Sequence, residues 1–204
     1  AKECGVTSEL SPVLSIALGS NDISVAEVAK MYQTFIEGKI YRFYGEWPKN
    51  QITFIRRIED RFGNILFEPK RREYQLVKSD FALKMREILR KVMTNGTGRR
   101  HIDKFYVSSK DSNQKNRRSK SELKINIPAY GKTGTNNGFS TSYFSGFLPY
   151  PKLNIDGKYD RLLDITNSYV SAAYIGYDDN KPMIRGSYRV YGSSGALPLW
   201  AGYS

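Results

Sequence analysis

Between Ser24 and Gly38 the chain reads SVAEVAKMYQTFIEG, with apolar side chains at 28, 31, 32, 35 and 36, the spacing of one helical face. Ser24 followed three residues later by Glu27 is a capping box and Gly38 a stop signal, so the stretch predicts an amphipathic helix. A second helix is predicted with Ser79 as N-cap, an apolar stripe at 81, 85, 88, 89 and 92, and a stop at Asn95-Gly96. Between the two, positions 52 to 68 hold two β-rich runs around Gly63-Asn64 and predict a hairpin. After the second helix the pattern changes. Positions 99 to 124 are dense in Lys, Arg, Ser and Asn and low in apolar residues, a composition expected of an exposed, mobile loop. Strand-like runs follow at 129 to 135, 141 to 148, 168 to 177 and 183 to 190, separated by Asn, Gly and Pro clusters and by a polar stretch near 150 to 167. Two or more helices packed on an antiparallel sheet, an α+β fold, is the architecture these elements predict.

Composition adds constraints. With 204 residues and 40% hydrophobic content the chain can bury one sizeable core. It holds no apolar run long enough to cross a bilayer, no secretory signal and no initiator Met, which is expected of an excised or mature piece. A formal charge of +12 predicts attraction to something anionic: nucleic acid, a phospholipid surface or an acidic wall polymer. Cys4 is the sole cysteine, which excludes an intrachain disulfide and a thiolate metal cluster. His101 is also alone, beside Arg99 and Arg100, and is expected as a solvated loop residue rather than a ligand or base. Asp178 to Asn180 lack the spaced acid, Gly and terminal Glu of a calcium loop; a turn is expected there, and no metal or cofactor. In the basic stretch Phe105 and Tyr106 alone could stack on bases, so no nucleic-acid partner is expected.

One segment carries candidate chemistry: AYGKTGTNNGFS, positions 129 to 140. Gly131-Lys132-Thr133 has the tail of a phosphate-binding loop, but Asn126 stands where that loop needs Gly, and a turn at Asn136-Asn137-Gly138 stands where it needs a helix. Read as a strand, the segment puts Lys132 and Gly134 on one face and Thr133 and Thr135 on the other. An ammonium, two hydroxyls and an open glycine on an edge strand suit an extended peptide ending in a carboxylate. A solvated hairpin edge has the same residue types.

Six stretches decide between these readings: PVLSIALGSNDISVAEVAKMYQTFIEGK, IEDRFGNILFEP, VMTNGTGRR, YGKTGTNNGFSTSYFSGFLP, AYIGYDDNKPM and YGSSGALPLWAGY. In this order they resemble successive landmarks of the transpeptidase domain of class A penicillin-binding proteins. The resemblance makes the whole of 1–204 the C-terminal portion of such a domain, of partial β-lactamase-like fold, with 99–124 a flexible basic loop and 150–167 an insertion. It implies a serine acyltransferase: a Ser-x-x-Lys serine attacks the D-Ala-D-Ala carbonyl of a peptidoglycan stem peptide, with a Ser-x-Asn motif and a Lys-Thr-Gly strand completing the site. The third motif falls on Lys132-Thr133-Gly134, with Thr135 next. By resemblance Lys132 supplies positive potential, the Thr133 and Thr135 hydroxyls bind the terminal carboxylate, and the Thr135 N–H is an oxyanion-hole donor. The implied partners are stem peptides as donor and amine acceptor, β-lactams, the rest of the transpeptidase domain and a glycosyltransferase domain, at the periplasmic face of a bacterial inner membrane.

The same resemblance places the first two motifs upstream of LSIALGS, so this chain by itself is expected to lack the nucleophile and to form no penicillin adduct. Ser112-Asn113-Gln114-Lys115 and Ser121-Glu122-Leu123-Lys124 match the first motif in spacing. Both lie in the polar loop, with no apolar helix to depress a lysine, and are not expected to be catalytic. The sequence STSYF stands where relatives carry an acid followed by Trp-Phe, which leaves the rim of the cleft open. A D,D-carboxypeptidase, β-lactamase or β-lactam sensor shares the Lys-Thr-Gly strand and remains an alternative, as does a basic nucleic-acid-binding module.

Overall fold

A computed structural model describes residues 1–43, 55–109, 123–153 and 159–203. The chain divides into two compact units, Ala1–Met85 and Arg86–Ser204.

In the first unit, helix α1 (Val25–Glu37) forms where the periodicity predicts, with both halves of the Ser24/Glu27 capping box made and Gly38 in the left-handed conformation as its C-cap. Glu27 does more than cap. It is 6% exposed, and its carboxylate accepts from the backbone N–H and hydroxyl of Thr7 (2.6 and 2.8 Å), of Ser8 (2.8 and 2.6 Å) and of Ser24 (2.9 Å each). Burial pushes its pKa up, but the hydrogen bonds from Ser8, Ser24 and Thr7 outweigh that and hold it well below the ordinary carboxylate range. The sequence around 7–8 is thereby tied to α1.

The expected hairpin is present as β2 (Ile58–Glu59) and β3 (Ile65–Phe67), turning at Gly63 with φ +85°; its positions 52 to 54 lie outside the described residues. Sequence pattern misses a second pairing, β1 (Lys39–Phe43) with β4 (Arg71–Gln75). Its register puts Lys39 beside Gln75 and Tyr41 beside Glu73, and it is held by side chains that read as loop: Lys39 Nζ on Glu73 at 2.7 Å and the Arg71 guanidinium over the Tyr41 ring. Helix α2 (Ser79–Thr94) ends before Asn95-Gly96 as expected, and the division between the units falls within it. Its buried positions are Ala82, Leu89 and Met93, whereas Phe81 and Ile88 of the predicted stripe are 65% and 57% exposed. The packed face overlaps the predicted stripe at Leu89 but is rotated away from Phe81 and Ile88 toward Ala82 and Met93, because small Ala82 carries little hydrophobic signal.

The second unit is built on a three-stranded antiparallel sheet in the order β7 (Tyr130–Thr135), β8 (Thr141–Leu153), β9 (Tyr159–Gly176). Met93, Phe105, Ala129, Phe144, Leu148, Ala196, Leu197 and Trp200 form its core. Strands β8 and β9 continue well past 148 and before 168, with register shifts at Pro149/Tyr150 and Pro151/Leu153, so much of the polar stretch near 150 to 167 is strand; 154–158 lie outside the described residues.

Two further expectations are revised in this unit, and one helix is added to the predicted elements. Both ends of 99–124 carry secondary structure, a 3-10 turn at Arg99–Lys104, then β5 (Tyr106–Ser109) paired with β6 (Leu123–Asn126); 110–122 lie outside the described residues. Phe105, buried edge-on against Trp200, anchors this segment. The single strand expected over 183 to 190 is a tight hairpin of β10 (Ile184–Arg185) and β11 (Tyr188–Arg189), reversed at Gly186 with φ +60°. Helix α3 (Ala196–Tyr203) has no counterpart among the predicted elements. At eight residues, with Pro198 in its first turn, it shows too little periodicity to read, and its Leu197 and Trp200 are fully buried.

Candidate functional site

Strand β7 forms as predicted, in register Lys132 opposite Ser145, Thr133 opposite Phe144 and Thr135 opposite Ser142. Among the described residues it pairs on one side only, with β8, and so lies at a sheet edge. Phe144 packs on Trp200, which assigns Thr133 and Thr135 to the face carrying α3; Lys132 projects from the opposite face by alternation. Groups on opposite faces can serve one ligand where the two faces meet, at the open edge. Lys132 is turned toward that edge, its ammonium donating to the Thr133 carbonyl at 2.8 Å.

Both hydroxyls are met by hydrogen-bond partners from elsewhere in the unit. The Gly192 N–H donates to Thr135 Oγ1 at 2.8 Å, and Thr97 Oγ1 lies 2.7 Å from Thr133 Oγ1. The 191–195 turn that supplies Gly192 is pinned by Ser142, wholly buried on β8. Its hydroxyl donates to the Tyr191 carbonyl at 2.9 Å and accepts from the Ala196 N–H at 2.9 Å, which caps α3 from a neighbouring strand. The turn lies so close to β7 that a Cβ at Gly192 would sit 2.5 Å from the Gly134 carbonyl oxygen and 2.9 Å from its nitrogen. Glycine at 192 and the open backbone at Gly134 are two sides of one contact.

The β7–β8 turn sets the rim. Asn136 Oδ1 accepts from the Ser140 and Thr141 N–H groups. The positive φ of this turn falls on Phe139 (+55°) rather than on Gly138. That ring packs edge-on to Tyr191, with the Arg189 guanidinium over it. On the Lys132 face, burial pushes the Tyr143 phenol up to about 12, the Ser145 hydroxyl beside it opposing the shift only in part. Tyr143 therefore stays protonated at neutral pH and is no base. Among the described residues, its hydroxyl and that of Ser145 are buried without a partner in hydrogen-bond geometry.

Of the other candidates, His101 is not the solvated loop residue expected. It is half-buried in the 3-10 turn, and burial, then Lys104 and Arg100, hold its pKa below the usual imidazole value. Asp178 to Asn180 form a turn after β9, with Asn180 at φ +56°. Ser112, Lys115 and Ser121 lie outside the described residues, and Lys124 lies on β6. Among the described residues no cluster of His, Cys, Asp or Glu could hold a metal ion, and no helix is long and apolar enough to cross a membrane.

No family model matches the chain. Its fold does match a solved one. The crystal structure of penicillin-binding protein 1A from Haemophilus influenzae superposes with a TM-score of 0.65 and 18% identity, over 99% of this chain and 29% of that one. The architecture is thus a mixed helix-and-sheet arrangement with antiparallel sheets, part of the penicillin-binding transpeptidase fold. Curated relatives are penicillin-binding proteins 1B and 1A. Penicillin-binding protein 1B of Vibrio cholerae is 29% identical over 96% of the chain, that of Haemophilus influenzae 27% over 96%, and penicillin-binding protein 1A of Aquifex aeolicus 27% over 95%. The chain is similar to these penicillin-binding proteins along almost its whole length, and it spans about a fifth of theirs (19%, 19% and 20%).

Thr97, Ser142 and Gly192 are the residues of this region that sequence reasoning leaves without a role. Thr97 and Gly192 fall in two of the stretches that carry the resemblance, VMTNGTGRR and YGSSGALPLWAGY. Their glycine-rich turns are the signal that could have marked them; what they dock against is long-range.

Proposed function

We propose that the chain forms the Lys-Thr-Gly wall of a peptidoglycan D,D-transpeptidase, the C-terminal part of a domain whose Ser-x-x-Lys and Ser-x-Asn motifs lie in other parts of the full-length protein. The observation that supports this reading is that Lys132, Thr133 and Thr135 lie together on β7, which pairs on one side only among the described residues, with the Lys132 ammonium on the Thr133 carbonyl. An extended peptide adds there as a further strand. Its terminal carboxylate then meets one ammonium and two hydroxyls, charge-assisted contacts of the strong kind.

In the reaction, a serine attacks the carbonyl of the penultimate D-Ala of the donor stem. The carbonyl oxygen becomes an oxyanion, stabilised in part by the Thr135 N–H, and D-Ala leaves as the ester forms. An amine of a neighbouring stem then attacks the ester, completing the cross-link and freeing the serine. β-Lactams enter as donor mimics, their carboxylate in the same place. The net charge of +12 suits an anionic wall polymer on the extracytoplasmic side of the membrane. The remainder of the transpeptidase domain and a glycosyltransferase domain are its partners in the full-length protein.

The test is the second-order rate of acylation of the full-length protein by a fluorescent penicillin. Lys132→Ala is expected to lower it by about ten- to a hundredfold, because it removes a charge-assisted hydrogen bond to the ligand in a partly buried cleft. An unchanged rate would leave β7 as a bare sheet edge and overturn the reading.

A further inference from the structure

Thr97 lies on the turn that follows α2, 36 residues before Thr133, and that turn is firmly docked. The Asn95 and Gly96 N–H groups both donate to the Lys91 carbonyl, and the Gly98 N–H donates to that of Val92. Gly98 is buried so tightly against Met93 that a Cβ there would lie 2.4 Å from its sulfur. One helical turn back, Arg90 donates to the Ala129 carbonyl at 3.3 Å, just before β7 begins. The segment 90–98 is therefore tied to the start of β7 at one end and meets its middle at the other, where the two threonine hydroxyls stand 2.7 Å apart.

A hydroxyl has one proton and two acceptor sites. Of two hydroxyls in contact, one donates and the other is left with its proton for a third group. A carboxylate accepts only, so its arrival at Thr133 selects the arrangement in which Thr97 donates to Thr133 and Thr133 donates to the ligand. Thr135 is built alike: it accepts from the Gly192 N–H, which frees its own proton to point outward. From this geometry we infer that Thr97 is a positioning residue of the anion subsite, orienting the Thr133 hydroxyl as a donor to the carboxylate of the stem peptide or β-lactam. The inference rests on the transpeptidase reading of β7.

The experiment compares acylation of the full-length protein by benzylpenicillin and by its uncharged methyl ester, in the parent and in Thr97→Val, Thr97→Ser and Lys132→Ala. Loss of one orienting hydrogen bond predicts that Thr97→Val slows the acid about three- to tenfold. It should leave the ester rate where it was, while Thr97→Ser restores the acid rate to within about twofold of the parent. A residue that merely shaped the turn would lower both rates together, and that result overturns the inference. So does an unchanged acid rate in Thr97→Val while Lys132→Ala has lowered it, in which case the transpeptidase reading survives. If Lys132→Ala also leaves the acid rate at the parent level, the transpeptidase reading falls and the role of Thr97 with it.

Discussion

Replacing Gly192 by Ala should detach the 191–195 turn from β7. The added Cβ would lie 2.5 Å from the Gly134 carbonyl oxygen and 2.7 Å from that of Tyr143, where carbon and oxygen ordinarily stay about 3.3 Å or more apart. Both obstacles are backbone of the central sheet, so the turn must yield, by about 0.8 Å on this difference. The Gly192 N–H to Thr135 Oγ1 bond, now 2.8 Å, would lengthen to about 3.6 Å and cease to be a hydrogen bond. Its loss costs about 1 kcal/mol and overpacking a further 1–3 kcal/mol, for a total of roughly 2–4 kcal/mol. The Ala196 N–H to Ser142 hydroxyl bond and the Leu197 N–H to Gly192 carbonyl bond depend on the same docking. Hydrogen exchange by mass spectrometry on the full-length protein should thus show the amides of 196–197 exchanging at least about thirtyfold faster. Gly202→Ala is the control, because a Cβ there meets nothing within 4 Å and the change should slightly slow exchange in α3. Unaltered exchange at 196–197 in Gly192→Ala would refute the close packing of this turn on β7.

Thr135→Ser should keep penicillin acylation within about threefold of the parent, since it keeps the hydroxyl. Thr135→Val should lower it by about tenfold or more, on the order of 1.4 kcal/mol or above, because the carboxylate loses a donor and the Gly192 N–H its acceptor. Glu27→Gln should destabilise the 1–85 unit by about 2–3 kcal/mol, read as faster exchange in α1, because an amide presents one acceptor oxygen to donors that now surround two. The Glu27 pKa is depressed in the fold, so its stabilisation is complete above the unfolded value of about 4.3 and is lost as pH falls through the folded value. Acid should loosen α1 in the parent, and Glu27→Gln should remove that part of the pH dependence. Tyr143→Phe should alter the thermal midpoint little or raise it, since among the described residues the buried hydroxyl has no partner in hydrogen-bond geometry; a drop of more than about 3 °C, near 1 kcal/mol for a chain of this size, would show that it has one.

Local signals proved sufficient wherever a short stretch settles its own backbone. The capping box and Gly38 delimit α1, Asn95-Gly96 ends α2, and the alternation of 130–135 yields β7. What the sequence hid depends on partners far along the chain. The pairing of β1 with β4 rests on Lys39 with Glu73 and Arg71 with Tyr41, and three of these four are charged residues that otherwise signal solvent. Helix α3 exists because its Leu197 and Trp200 fill a hole against Phe144 and Phe105. Lys132, Thr133 and Thr135 stand out as candidates only through the resemblance of six stretches, because their tetrapeptide alone reads equally as a solvated hairpin edge. That the threonine hydroxyls are backed by Thr97 and Gly192, 36 and 57 residues away, could not be read, because each contact joins turns whose docking is decided by tertiary packing.

The transpeptidase reading stands or falls on whether the edge of β7 receives the carboxylate of an acyl donor. A crystal structure of the full-length protein acylated by a penicillin answers this. The β-lactam carboxylate is expected about 2.5–3.0 Å from the Thr133 and Thr135 hydroxyl oxygens, with the Lys132 ammonium drawn off the Thr133 carbonyl toward it. An adduct whose carboxylate lies away from β7, with Lys132 still on that carbonyl, would show that the strand is not an anion subsite.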